Sequence, residues 1–407
     1  MNQKLIAVTF LIVGITGDAL CQSGNPGYPF DTPADPRSVA MGESFVALPA
    51  NPAALMYNPA DLAGLSGLNI SYSRKSLDWY LKDWSIATIN ATLGTSFGVF
   101  AAQYNRKSMG TIPVTTVQFP DGNGSAYTLY AHDVAFGYAY RLPVGLALGL
   151  SAKYYDFVET LSGPLNGGPS PWTSTPAYLF DFGLTYTLPR LHSQEAVEDS
   201  VTLGMSYQNI GSRWKVEYPP YPGQITLVAV YQGVQETQLP EYFSVGLSYA
   251  MRIRPPEAGD LTPFALLLTG EFRSLQAPLE PAYYPSYYAS APAYPETSYW
   301  GIGVEFTIYE LLSIRGGAAF RPYSDVEGDR DRASFRYGGA LHLPFKKIGL
   351  DLPVTLSFEY TVIPVKEPVS TYVLYQPTGP GYFEDTGVSR GTYPLFSLEL
   401  RYAGFPW

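Results

Sequence analysis

The sequence predicts an all-β fold: a transmembrane antiparallel β-barrel of about fourteen strands, preceded by a short helical hatch. Three observations lead there. Apolar and polar residues alternate over runs of about ten, the period of a strand with one apolar face. The composition suits strands and turns, with 34 Tyr, 21 Phe, 39 Gly and 36 Pro in 407 residues and only 15% charged. The longest later apolar run, Phe264 to Leu268, is far below the roughly 20 residues of a membrane-spanning helix, so a membrane is crossed here by strands.

At the amino terminus, Lys4 precedes the apolar run Leu5 to Ile15 and then the small or polar stretch Gly17-Asp18-Ala19-Leu20-Cys21. This is the pattern of a secretory signal peptide over residues 1–21. Ala19 and Cys21 are small enough for cleavage after Cys21, and Leu20 is the wrong neighbour for acylation of that cysteine. Cys21 is the sole cysteine, so the mature chain has neither a disulfide nor a thiolate metal site. Three histidines and a net charge of −10 point to no metal or other cofactor and exclude a nucleic-acid partner, which needs a basic footprint.

Residues 22–66 do not alternate and form a separate piece. Asn51-Pro52-Ala53 and Asn58-Pro59-Ala60 each place a capping asparagine before a proline suited to the first helical position. They predict short helical turns over Pro52 to Tyr57 and Pro59 to Leu65. The segment either seals the periplasmic rim or forms a hatch in the lumen, since fourteen strands enclose more space than their side chains fill. The hatch is the reading preferred.

Strands are expected near 67–74, 84–93, 95–105, 126–141, 144–157, 177–187, 200–209, 241–252, 262–274, 298–308, 311–321, 334–344, 353–363 and 392–402, making 67–407 the barrel. Leu146, Leu148, Leu150 and Tyr154 share one face against Ala147, Gly149, Ser151 and Lys153. Trp300, Ile302, Val304 and Phe306 oppose Gly301, Gly303 and Glu305, and Phe396, Leu398 and Leu400 oppose Ser397 and Glu399. Large residues on one face with Gly, Ser and Thr on the other distinguish a lipid-facing barrel with a polar interior from a soluble sandwich. Connections alternate: 141–145, 253–261 and 309–311 are short, whereas 105–126, 158–177, 210–240, 275–297 and 364–391 are long. Short periplasmic turns, long outer loops and an even strand count place both termini in the periplasm.

The polar face carries Lys153, Asp181, Arg252, Glu271, Arg273, Arg315, Arg336, Glu359, Glu399 and Arg401. Both signs occur, and pairing that fastens a plug is favoured over an open charged channel, because isolated buried charges are costly. His132 and Asp133 point to opposite faces, poor geometry for a general base and its orienting carboxylate. His342 reads as lumen lining. No serine has a nucleophile-elbow context, so no enzyme is expected. The loop Pro281 to Trp300, rich in tyrosine and proline, is either a stiff self-packed surface or a contact surface for a ligand or protein.

Pro36-Arg37-Ser38-Val39-Ala40-Met41-Gly42-Glu43-Ser44-Phe45-Val46-Ala47-Leu48, with Asn51-Pro52-Ala53-Ala54 and Tyr57-Asn58-Pro59-Ala60-Asp61-Leu62-Ala63, resembles the amino-terminal signature of PorV/PorQ-type outer-membrane proteins. These are related to the FadL-type long-chain fatty acid transporters, with their similar Asn-Pro-Ala element and fourteen strands. The chain departs from the pattern at Glu43, where a second small residue is usual, and at Asp61, where glycine is common. The resemblance implies that Met41, Gly42, Phe45, Asn51, Pro52, Asn58, Pro59 and Ala60 shape the hatch. It implies a bacterial outer-membrane location in contact with lipid, and two functions. One is a carrier or attachment platform for secreted proteins and secretion machinery, as in type IX secretion; the other is a FadL-like channel for hydrophobic small molecules. Closeness to the PorV/PorQ signature favours the first.

Overall fold

The computed structural model describes residues 34–48, 50–76, 84–113, 124–162, 173–189, 196–218, 233–237, 239–254, 262–276, 298–321, 332–373 and 382–404. The expected signal peptide and most of the Pro281 to Trp300 loop lie outside them. In chain order the strands are β1 (Leu68–Ser76), β2 (Trp84–Thr95), β3 (Gly98–Pro113), β4 (Ala126–Arg141), β5 (Leu146–Ser162), β6 (Thr173–Thr175), β7 (Ala177–Pro189), β8 (Val197–Gly211) and β9 (Trp214–Tyr218). They continue as β10 (Gly233–Thr237), β11 (Tyr242–Ile253), β12 (Phe264–Leu275), β13 (Ser298–Ile308), β14 (Leu312–Arg321), β15 (Arg332–Pro344), β16 (Val354–Val373) and β17 (Tyr382–Tyr402).

Fourteen of these strands close an antiparallel barrel in sequence order, sealed where β1 pairs β17 with Leu68 opposite Tyr402 and Lys75 opposite Leu395. Closure is what allows strands to live in lipid, because every backbone donor and acceptor is then paired within the wall. Ile70, Leu148, Ile302, Phe358 and Leu398 stand exposed on the exterior, while Ser71, Ser151, Glu359 and Ser397 on the opposite parity are buried. An apolar outside around a polar inside is the inversion that a membrane barrel requires. The first and last strands meet at the end that carries the short turns.

The strands run further toward the long-loop end than alternation alone gave. The largest correction is 364–391, expected as a loop, where β16 and β17 continue to pair out to Val373 opposite Tyr382. Pro364 and Pro368 concealed this, since proline cannot donate to a ladder. They are tolerated because β15 stops pairing with β16 at Val362, leaving one edge of the extended hairpin without a partner strand among the described residues. A second addition is a three-stranded sheet, β10-β9-β6, from the connections expected at 158–177 and 210–240.

Candidate functional site

The amino-terminal segment runs inside the barrel. It opens with helix α1 (Pro36–Ala40), which the motif reading had not placed; Asp35 caps it by accepting the Ser38 N–H at 2.9 Å. Two 3₁₀ turns follow, Ala54–Met56 and Pro59–Gly64, at the two Asn-Pro-Ala motifs. Asn51 Oδ1 accepts the Ala53 N–H at 2.9 Å and Asn58 Oδ1 the Ala60 N–H at 3.1 Å. Each asparagine also donates: Asn51 Nδ2 to Asp35 at 3.1 Å, and Asn58 Nδ2 to the Val46 carbonyl at 2.6 Å. An amide caps through its oxygen and donates through its nitrogen, so an ionised Asp, which only accepts, would satisfy half of either site.

The wall is shaped to receive this segment. At the inward positions Gly149 and Gly183, a Cβ would collide with the Pro59–Ala60 backbone and with Asn58. At Gly204 it would strike Val46, and at Gly303 and Gly317 it would strike Met41 and Gly42. Missing side chains let two backbones approach closely. Gly42 and Glu43 take left-handed φ values of 70° and 60°, turning the chain just there. Apolar contacts complete the seat. Leu55, Leu62 and Leu65 pack on Val99, Ala101, Ala135 and Ala139 of β3 and β4, while Met41, Phe45, Leu48, Ala53 and Tyr57 cluster with Leu267 of β12. Pro52 is half-buried, and Pro59 and Ala60 are fully enclosed.

Polar anchors tie the segment to the strands. Glu271 accepts the N–H groups of Phe45 at 2.7 Å and Val46 at 2.8 Å. Arg336 pairs with Glu43. Arg37 forks onto Glu305 at 2.9 and 2.8 Å, a bidentate geometry that fixes orientation as well as charge. Arg315 bridges Glu305 at 2.5 Å and Glu359 at 2.9 Å. Thr361 donates to the Pro36 carbonyl at 2.8 Å, and Gln208 to the Met56 carbonyl at 2.8 Å.

The remaining charges read from the alternation sit elsewhere. Lys153 pairs with Asp181 at 2.7 Å, where Ser151 and the Asn209 N–H also bind the carboxylate. Arg273 lies 3.3 Å from Glu271 and about equally far, 5.0 to 5.4 Å, from the rings of Phe45, Tyr242 and Tyr299. Glu399 meets Arg401 at 3.0 Å, Arg401 being partly exposed. Arg252 is a correction: it is exposed, because the lumen face of β11 has reached the short-turn rim by that residue. Glu305, Arg37 and Glu43 were absent from the expected set. Alternation on β13 already puts Glu305 on the polar face of Gly301 and Gly303 without counting it among the lumen charges; Glu43 stands out only as a departure from the family pattern, and nothing local marks Arg37.

Within the inner segment, burial pushes the Asp61 carboxyl well above the ordinary carboxylate value of 3.8, and neighbouring Glu271 adds to the shift. Burial raises Asp35 as well, with Glu359 contributing in the same sense. His342 bridges Ser313 and Ser357 at 3.1 and 2.9 Å in the lumen. Asp133 accepts from Asn105 at 2.7 Å on the lumen side, while His132 lies among Tyr104, Tyr130 and Tyr154 on the other face. Among the described residues no group of three His, Cys, Asp or Glu is arranged to hold a metal. Toward the long-loop end, Ala131, Tyr155, Ala177 and Leu179 form an apolar inner wall covered by Leu239.

No family model and no curated protein matches the sequence. Solved structures do. A FadL homologue from Pseudomonas aeruginosa aligns at 11% identity over 95% of this chain and 100% of that one, with a TM-score of 0.50. The toluene transporter TodX of Pseudomonas putida aligns at 10% identity over 96% and 100%, with a TM-score of 0.43. The monoaromatic hydrocarbon channel CymD aligns at 10% identity over 91% and 97%, with a TM-score of 0.41. At these identities the likeness to the FadL homologue is one of fold.

Proposed function

We propose that this chain is a FadL-like outer-membrane barrel that passes hydrophobic small molecules, with the amino-terminal segment acting as a hatch in its lumen, and that it is not an enzyme. The observation that carries the reading is the seat of residues 34–65. A segment held against the wall by glycine contacts, two apolar clusters and discrete ion pairs can obstruct a lumen while remaining a separable piece. The fold shared with the FadL homologue is consistent with this role.

The carrier role implied by the PorV/PorQ signature is the weaker reading. Asn51, Asn58, Phe45 and Met41 are buried inside the barrel, so the residues that carry the resemblance build the hatch and are not displayed to a secreted partner. Uptake of labelled oleate and of a labelled pentose into cells with and without the protein separates the possibilities. Faster oleate entry with unchanged pentose entry is the outcome expected. Faster pentose entry alone would indicate an open porin, and capture of a secreted protein with no change in solute entry would indicate a carrier.

A further inference from the structure

The exterior holds a row of charge where an apolar surface is the rule. On neighbouring strands Arg74 of β1 is level with Ala87 of β2, Ala87 with Arg106 of β3, Arg106 with His132 of β4, and His132 with Asp156 of β5. Arg74 and Arg106 share the outward face of Tyr72 and Tyr104, and both are exposed. Neither forms an ion pair among the described residues. Asp156, at the far end of the row, is engaged by the Ser174 hydroxyl at 2.8 Å.

The height of the row is informative. His132 and Tyr140 lie on one outward face of β4, eight residues apart. With 3.4 Å per residue and a tilt near 40°, that is roughly 20 Å along the barrel axis, close to the ~25 Å height of a lipid-facing band. Tyr140 is near the short-turn rim, so the row lies at the opposite edge of the band. The Arg106 guanidinium lies 5.0 Å from the centre of the Tyr130 ring, which is one step further toward the long-loop side. It thus snorkels away from the bilayer centre. Tyr104, Tyr130 and Tyr154 ring His132 at 5.9 to 6.4 Å, and its buried Nδ1 has no hydrogen-bond partner among the described residues.

Arg74 and Arg106 are two strands apart, about 10 Å at the usual strand spacing, with the small side chain of Ala87 between them. Two long cations over a shallow floor match a phosphate group, which each guanidinium can bind through paired N–H donors. We infer that Arg74 and Arg106 form a binding site for a phosphate of an outer-leaflet glycolipid, with the tyrosines beside them meeting its sugar and acyl boundary. This rests on the outer-membrane reading above, which places the long-loop end in the outer leaflet.

The test uses the full chain in nanodiscs, titrated with lipid A carrying its phosphates and with the dephosphorylated form. The wild-type protein should bind the phosphorylated form about tenfold more tightly, the scale of a charge-assisted hydrogen bond. The Arg74→Ala/Arg106→Ala variant should lose that preference while keeping heat-modifiable migration on gels. Equal binding of the two lipids by the wild type, a comparison that needs no variant, would overturn the site, as would a preference that survives in the double variant. Dimerisation through this face that is indifferent to lipid phosphate would also overturn it, in favour of a second copy. Failure to fractionate with the outer membrane would reject the location while leaving the lipid titration readable.

Discussion

At the scale of single residues, the inner segment is held by groups that each do more than one task. Glu271 is the clearest case, since it satisfies two buried backbone donors and faces Arg273. Glu271→Ala should loosen the segment by roughly 2–3 kcal/mol, the cost of leaving buried donors unmet, seen as faster proteolysis of residues 34–65 while the barrel stays heat-modifiable. Asp61 gives a pH dependence of definite sign. Its carboxyl is raised above the ordinary 3.8 by burial and by Glu271, so the docked segment favours the protonated form. Its stabilising effect is complete below the unfolded value and is lost as pH rises toward the folded one. Protease protection of the segment should therefore fall between acid and neutral pH, and Asp61→Asn should flatten that dependence and protect the segment better at pH 7. A steeper pH dependence in the variant would count against this assignment. The cap at Asn58 was legible in the sequence because capping is local, whereas the turn expected from Pro52 starts only at Ala54, with Ala53 rather than Asn51 at its N-cap and no side-chain cap. Arg37 with Glu305, 268 residues apart, was not legible, because only closure of the barrel brings them together.

At the scale of elements, alternation gave both faces of most strands, since the side-chain period of a strand is fixed at two. It failed where another signal overrode it. Pro364 and Pro368 read as loop although their strand, among the described residues, pairs on one edge only and so accepts proline. Inward glycines read as generic small lining; their use as a seat depends on what lies opposite, which a strand's own sequence does not contain. Gly183→Val should accordingly expel the second 3₁₀ turn, because its Cβ falls on Asn58 and Ala60, whereas Gly316→Val on the exterior, where a Cβ meets nothing, should be tolerated. Limited proteolysis of the two variants compares them directly. On the lipid side, Phe136→Arg or Ile302→Arg should cost about 2–4 kcal/mol near the bilayer midplane, and Leu148→Arg, level with Tyr140 near the short-turn rim, should cost less, measured by reversible unfolding in lipid vesicles. A cost independent of depth would mean that this face does not meet lipid.

At the scale of the whole molecule, the barrel and the inner segment depend on different forces. Strand closure satisfies the backbone of the wall without help from the segment, whereas the segment draws its polar and apolar contacts from the wall. The fourteen strands were therefore readable as a repeating pattern. The position of the segment was readable only as a choice between rim and lumen, decided by contacts between residues far apart in sequence. From this asymmetry, removal of residues 22–64 should leave an assembled, heat-modifiable barrel with an emptied lumen. The most direct measurement is single-channel conductance in planar bilayers, intact protein against the 22–64 deletion. Low conductance in the intact protein and a large rise on deletion is the result expected of a hatch. High conductance in the intact protein, little altered by deletion, would contradict it and identify an open pore.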